Sequence, residues 1–129
     1  PFPNKVSFIS QNWKKCPALI QDSMLVTKII DIEKTINGRA YYYIPKEKVL
    51  PFAGQIKTGD IILITTKKKG LDTAHVGIAI ENEGQIYLLH ASFSDKKVSI
   101  TTETLPDYLQ RITSHSGIMI GRLINFKSN

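Results

Sequence analysis

Two hydrophobic periods divide this chain. From Met24 to Ile36 the apolar residues recur at helical spacing, with Leu25, Ile29, Ile32 and Ile36 on one stripe. Asp22 and Ser23 stand just ahead of it, and both are residue types that cap helix N-termini. The pattern predicts a helix over 24–36, ended at Asn37-Gly38 by a residue in the left-handed conformation. Upstream, Asn4 to Ser10 alternates enough for a short strand or an extended lead-in, and Pro17 suits the first position of a helix.

Beyond Gly38 the period shortens to two. Strands are expected over 40–44 (stopping at Pro45), 60–66, 75–81, 86–92, 98–102 and 117–123. Turn signals separate them at Gly70, Glu83-Gly84 and Asp95-Lys96. A short helix over 105–111 interrupts the last pair. A helix followed by mostly hairpin-linked strands specifies an α+β fold: an antiparallel sheet of about five to six strands packed with an N-terminal helix.

Composition narrows the function classes. The 129 residues suit a single domain that buries a core without disulfides or metal. The lone Cys16 excludes an intrachain disulfide and a multi-cysteine zinc cage. No apolar run approaches the roughly 20 residues of a membrane span. The net charge of +6 is compatible with an anionic partner. The lysines are scattered apart from Lys67 to Lys69, which reads as a solvated loop, so no nucleic-acid partner is expected.

The chemistry concentrates between Gly59 and Ser92. His75, Gly77 and Ala79 share one strand face, and Val76, Ile78 and Ile80 share the other. The β-branched face reads as core. The His75 face is bare enough for a helix or substrate to approach. The following strand places Ile86, Leu88, His90 and Ser92 on one face. If the hairpin closes with Glu81 facing Gly84, His75 lies opposite His90; a looser register makes them diagonal, and a one-residue slip separates them. Such a pair can be structural, can bind a metal (although no third ligand stands at a recognisable spacing), or can act as a base and its orienter.

Taken in order, Gly59-Asp60, His75-Val76-Gly77-Ile78 and His90-Ala91-Ser92 resemble the second half of the NlpC-like, papain-type cysteine peptidases. The likeness is nearest to the N-acetylmuramoyl-L-alanine amidase-like branch. It extends to Tyr41–Pro45, Gly70-Leu71-Asp72, the closing Gly117-Ile118 with Arg122, and the opening Asn4–Phe8. It therefore covers nearly the whole chain, as the C-terminal part of a papain-like domain. It implies hydrolysis of an amide bond in bacterial peptidoglycan, with His75 as general base and His90 as its orienter, and no metal or organic cofactor. It also implies a stem peptide or muropeptide as partner and a periplasmic or cell-envelope location.

Asp72 and Ser92 become candidate substrate-binding residues, with bracing a loop and ending a strand as their plainer readings. Tyr41, Tyr42 and Tyr43 either line a groove or alternate in a strand. His115, in a polar loop, receives no role. The family's nucleophile is a cysteine at a helix start well upstream of the histidines. Cys16 follows a segment that in the family lies after the nucleophile, so it is not expected to attack, despite Lys14 and Lys15 beside it. The nucleophile is then expected from an N-terminal segment or another copy, or else the chain is a non-catalytic remnant that binds wall peptides or a protein partner.

Overall fold

The computed structural model describes residues 1–3 and 5–124. Asn4, which opens one of the segments discussed above, lies outside them. The described residues form two compact units, one within residues 1–42 with 67–72 and the other within residues 43–66 with 73–129.

The first unit is helical. It contains α1 (Phe8–Gln11), a 3-10 turn (Trp13–Lys15), α2 (Pro17–Gln21) and α3 (Met24–Asn37). Pro17 occupies the first position of α2, where its missing N–H costs nothing. The alternation over 4–10 does not make a strand. Ser7 and Phe8 both donate their backbone N–H to the Gly70 carbonyl, and the chain turns into α1 instead. Gly70 sits at φ +82°, which favours glycine, and a Cβ there would crowd the Ser7 hydroxyl at 3.0 Å and Phe8 N at 3.2 Å. The run Lys67–Lys69 is exposed, with the Lys68 ammonium 4.3 Å from the Phe8 ring centre.

In α3 the inward face differs from the expected stripe. Ile32 is exposed, and Glu33 is buried where it accepts the Ser10 N–H. The helix does not end on a left-handed residue either, since Gly38 has φ −79°. Asn37 secures that end with its side chain, accepting from Val6 N and donating to Val6 O. A side-chain amide can satisfy a passing strand of backbone as well as a glycine turn can, and sequence spacing does not distinguish the two.

The second unit holds β1 (Ile44–Pro45), α4 (Lys46–Phe52), β2 (Ile61–Thr66), β3 (Thr73–Asn82), β4 (Gln85–Ser92), β5 (Lys97–Ile100), α5 (Leu105–Arg111) and β6 (His115–Gly121). Together the strands make a six-stranded antiparallel sheet in the order β1-β6-β2-β3-β4-β5. β1 is shorter than the expected 40–44 because only Ile44 and Pro45 reach β6. The approach is close enough that a Cβ on Gly117 would sit 2.1 Å from the Ile44 carbonyl oxygen. The helix α4, which Pro45 at its N-cap and Pro51 inside it conceal from sequence reading, contributes the fully buried Val49.

The core lies on the face of the sheet that carries Ile62, Ile64, Ala79, Leu88 and Ile118, covered by Val49 of α4 and Leu105, Tyr108 and Leu109 of α5. This reverses the expected sidedness of β3. Val76 is 52% and Ile78 43% exposed, whereas Gly77 and Ala79 are buried. The bare face is not an opening, because its neighbours fill it. Leu88 leans across Gly77 so closely that an added Cβ would lie 2.5 Å from its Cδ1 and 2.8 Å from the Leu89 carbonyl oxygen.

The Gly59-Asp60 pair and Arg122 form a brace. Gly59 (φ +94°) donates its N–H to Ala79 O, and Asp60 O accepts the Ala79 N–H. The buried Asp60 carboxylate takes Arg122 Nε at 2.7 Å and Nη2 at 2.6 Å, and the Lys57 N–H at 2.8 Å. The Arg122 hydrogen bond lowers the Asp60 pKa, outweighing the burial that raises it. Arg122→Ala leaves that carboxylate buried without its cation. We expect a lower midpoint in denaturant unfolding, by less than a fully buried pair would cost because Arg122 is half exposed. An unchanged midpoint would contradict the brace.

Candidate active site

The β3–β4 hairpin turns at Glu83 (φ 51°) and Gly84 (φ 77°), two residues at positive φ as in a type I′ turn. Asn82 therefore pairs with Gln85 and Ala79 with Leu88. The register differs by two residues from the one that sets His75 directly opposite His90. An even offset keeps both side chains on the same face, so they meet diagonally. His75 Nε2 lies 2.8 Å from His90 Nδ1, with ring centres 5.0 Å apart and planes at 87°. His90 is buried and His75 half-buried. Burial, and then the neighbouring His90, lower the His75 pKa, so His75 is neutral near pH 7.

The pair lines a pocket of about 560 Å³. Ser92 lines it too, but its hydroxyl is already engaged: it donates to Asp95 Oδ2 at 2.9 Å and accepts the Asp95 N–H at 3.2 Å, tying the β4–β5 turn. Glu103 and Arg111 lie in the same wall as a bidentate ion pair, with Arg111 Nε 2.8 Å from Glu103 Oε1. Asp72 belongs to the other unit, where it lines a separate cavity of about 100 Å³ with Phe2, Lys5, Asn37 and Arg39. Cys16, also of that unit, is half-buried between the 3-10 turn and α2. None of the described residues lining the histidine pocket is a cysteine. Tyr42 is exposed while Tyr41 and Tyr43 are half-buried, the alternation of an extended segment. No three His, Cys, Asp or Glu side chains among the described residues converge as a metal site.

Two pocket residues escaped sequence reasoning. His115 is not in a loop: it opens β6 opposite Thr66, is 5% exposed, and its Nδ1 has no hydrogen-bond partner among the described residues. Burial first, then the charges of His75, Lys46 and Arg111, push its pKa down to about 4. Tyr108 of α5 lies between the imidazoles, with ring centres 5.6 Å from His90 and 5.7 Å from His115. Its place on the inward face of α5, between Leu105 and Leu109, is visible at helical spacing, but as a core position rather than a pocket one.

The sequence profile of the AmiA-like family, described as N-acetylmuramoyl-L-alanine amidase-like, matches residues 4–118. Among solved structures, an N-acetylmuramoyl-L-alanine amidase from Bacteroides uniformis is 36% identical with a TM-score of 0.82, over 91% of this chain and 50% of that one. A Bacteroides fragilis protein provisionally named a xylanase is also 36% identical, with a TM-score of 0.83 over 90% of this chain and 51% of that one. A Legionella pneumophila protein at 24% identity and TM-score 0.51, over 77% of this chain and 40% of that one, shares the fold. The chain thus spans about half the length of the solved relatives it matches. No protein of curated function matches it.

The buried, neutral His115 makes stability depend on pH with a definite sign. Its folded pKa, about 4, lies below the ordinary value of 6.5 that applies when the chain unfolds. Between those values only the unfolded chain takes up the proton. Stability should therefore be complete above about pH 6.5 and fall as pH drops toward 4, by at most about 1.4 kcal/mol per pH unit for one proton. His75, shifted in the same direction, adds to the trend. Denaturant unfolding of wild type and His115→Phe between pH 7.5 and 4 should show a shallower slope in the variant; an unchanged slope refutes the assignment.

Proposed function

Because the chain belongs to the AmiA-like, N-acetylmuramoyl-L-alanine amidase-like family, we propose that its histidine pocket serves hydrolysis of an amide bond in bacterial peptidoglycan by a papain-type mechanism. The reading rests above all on the 2.8 Å contact between His75 Nε2 and His90 Nδ1. If His75 Nε2–H donates to His90 Nδ1, the lone pair of His75 is left on Nδ1, free to act as a base. The His75 pKa, held below its ordinary value, keeps that lone pair available at neutral pH. His90 then fixes the tautomer and supports the imidazolium, as the third member of a triad does.

In this scheme His75 Nδ1 takes the proton of a thiol, and the thiolate sulfur bonds to the amide carbonyl carbon. As the C–N bond breaks, His75 returns the proton to the leaving nitrogen. Water, deprotonated by His75, then cleaves the thioester. The substrate is a stem peptide or muropeptide, met outside the cytoplasm at the cell envelope. A glycosidase, as the name of one relative suggests, would need two carboxyl groups flanking the bond. The two carboxylates in this pocket's described lining are Asp95, engaged by serine hydroxyls, and Glu103, clamped by Arg111.

The thiol is not assigned to Cys16, whose sequence context does not fit the family's nucleophile. A second reading follows from the described pocket lining, which holds no cysteine: the chain binds wall peptides or a protein partner without cutting. Muropeptides incubated with this chain and analysed by mass spectrometry should remain uncut in wild type and in Cys16→Ser. Cleavage lost in Cys16→Ser would make Cys16 the nucleophile. Where a thiolate completes the site, His75→Ala should lower the rate by several orders of magnitude. Turnover should also rise with pH through a midpoint below 6.5. Turnover indifferent to His75→Ala would refute the proposed base.

A further inference from the structure

The pocket beside the His75–His90 pair contains a polar group for which the scheme above has no use. Tyr108 is only 9% exposed, yet among the described residues its hydroxyl bonds to no protein group. The same wall holds the unpartnered Nδ1 of His115. The Tyr108 hydroxyl lines the open pocket within reach of solvent, whereas His115 Nδ1 is buried, and a buried polar group left unpaired costs about 1–3 kcal/mol. A hydroxyl donor without a protein acceptor and an unpaired ring nitrogen in one pocket wall suit a ligand that brings its own polar atoms.

Tyr108 is also held in place. Thr104 caps α5 by accepting the Asp107 N–H and donating to Asp107 Oδ2 at 2.8 Å. Leu105 and Leu109, fully buried on either side, pin the helix to the sheet. The ring is fixed edge-on to His90 at 82°, tilted against His115, and has the Arg111 guanidinium 5.3 Å from its centre. Burial raises the Tyr108 pKa, so the group in the wall is an intact O–H, a donor that needs an acceptor. The cation nearest it, Arg111, is clamped by Glu103, so the wall favours a neutral acceptor over an anion.

We propose that Tyr108 is a substrate-binding residue whose hydroxyl donates a hydrogen bond to an amide carbonyl oxygen of the bound peptidoglycan peptide, beside the His75–His90 pair. This rests on the reading of the pocket as a muropeptide site and adds the group that recognises the carbonyl. A donor held at that oxygen orients the amide toward His75 and excludes ligands without an acceptor there.

The test is a pair of ligands on a pair of proteins. An N-acetylmuramoyl dipeptide and its thioamide analogue, in which the weaker acceptor sulfur replaces the lactyl–alanine carbonyl oxygen, are titrated into wild type and Tyr108→Phe. Affinity is read from the NMR ring signals of His75 and His90. Wild type should bind the amide about two- to tenfold tighter than the thioamide, the range a single neutral hydrogen bond spans. Tyr108→Phe should lose that margin on the amide and bind both ligands alike. Unchanged affinity in Tyr108→Phe, or continued preference for oxygen, overturns the role of Tyr108 while leaving the muropeptide site intact. If the variant fails to fold, wild type alone decides, because equal binding of amide and thioamide refutes the donor. If neither ligand moves the His75 or His90 signals in wild type, the muropeptide reading itself falls.

Discussion

A chain that turns at Glu83 and Gly84 in two residues commits the β3–β4 hairpin to one register, and the site follows from that commitment. Both turn residues have positive φ, which suits the twist of the flanking strands. With Asn82 facing Gln85, every residue of β3 is assigned to a face, and His75 and His90 fall on the same one. A slip of one residue would carry one imidazole to the outer surface. The glycine at 77 makes the register compatible with packing, since Leu88 and the Leu89 carbonyl occupy the space of any side chain there. The brace from Gly59-Asp60 to Arg122 holds the neighbouring edge of the same strand through Ala79.

Much of this is legible in the sequence, for reasons that also explain the failures. Parity along a strand is a covalent property, so the shared face of His75 and His90 could be read directly, and an even error in register did not harm it. The short helix expected over 105–111 forms with those bounds, capped by Thr104 and with Leu105 and Leu109 buried. Which face is buried is decided by what packs on it. β-Branched Val76 and Ile78 suggested core, but α4 and α5 lie on the other side, and α4 itself is hidden by prolines. Likewise Ile32 fits the periodic stripe of α3, yet Glu33 holds the inward position because it meets the Ser10 N–H. His115 and Tyr108 are distant from the motif residues in sequence and join them only when β6 and α5 close around the pocket.

The pocket is made of groups whose charges are settled before a ligand arrives. Glu103 and Arg111 neutralise each other, Asp95 is engaged by Ser92, and the histidines with lowered pKa values stand neutral near pH 7. Neutral imidazoles and a phenol O–H make a wall suited to an uncharged amide, with basicity directed through one nitrogen. The sequence motif His75-Val76-Gly77-Ile78 thereby gains a physical content: the proposed base, a spacer pointing outward, and a residue small enough to let the hairpin close.

The proposed role of His75 depends on the proton between the two imidazoles. Nitrogen-15 NMR of the imidazole rings at neutral pH reports which ring nitrogen of His75 carries hydrogen. His75 should be neutral and protonated on Nε2, with that proton directed at His90 Nδ1 and a titration midpoint below 6.5. A His75 protonated on Nδ1, or charged at neutral pH, would leave no lone pair facing the substrate and would contradict its role as base.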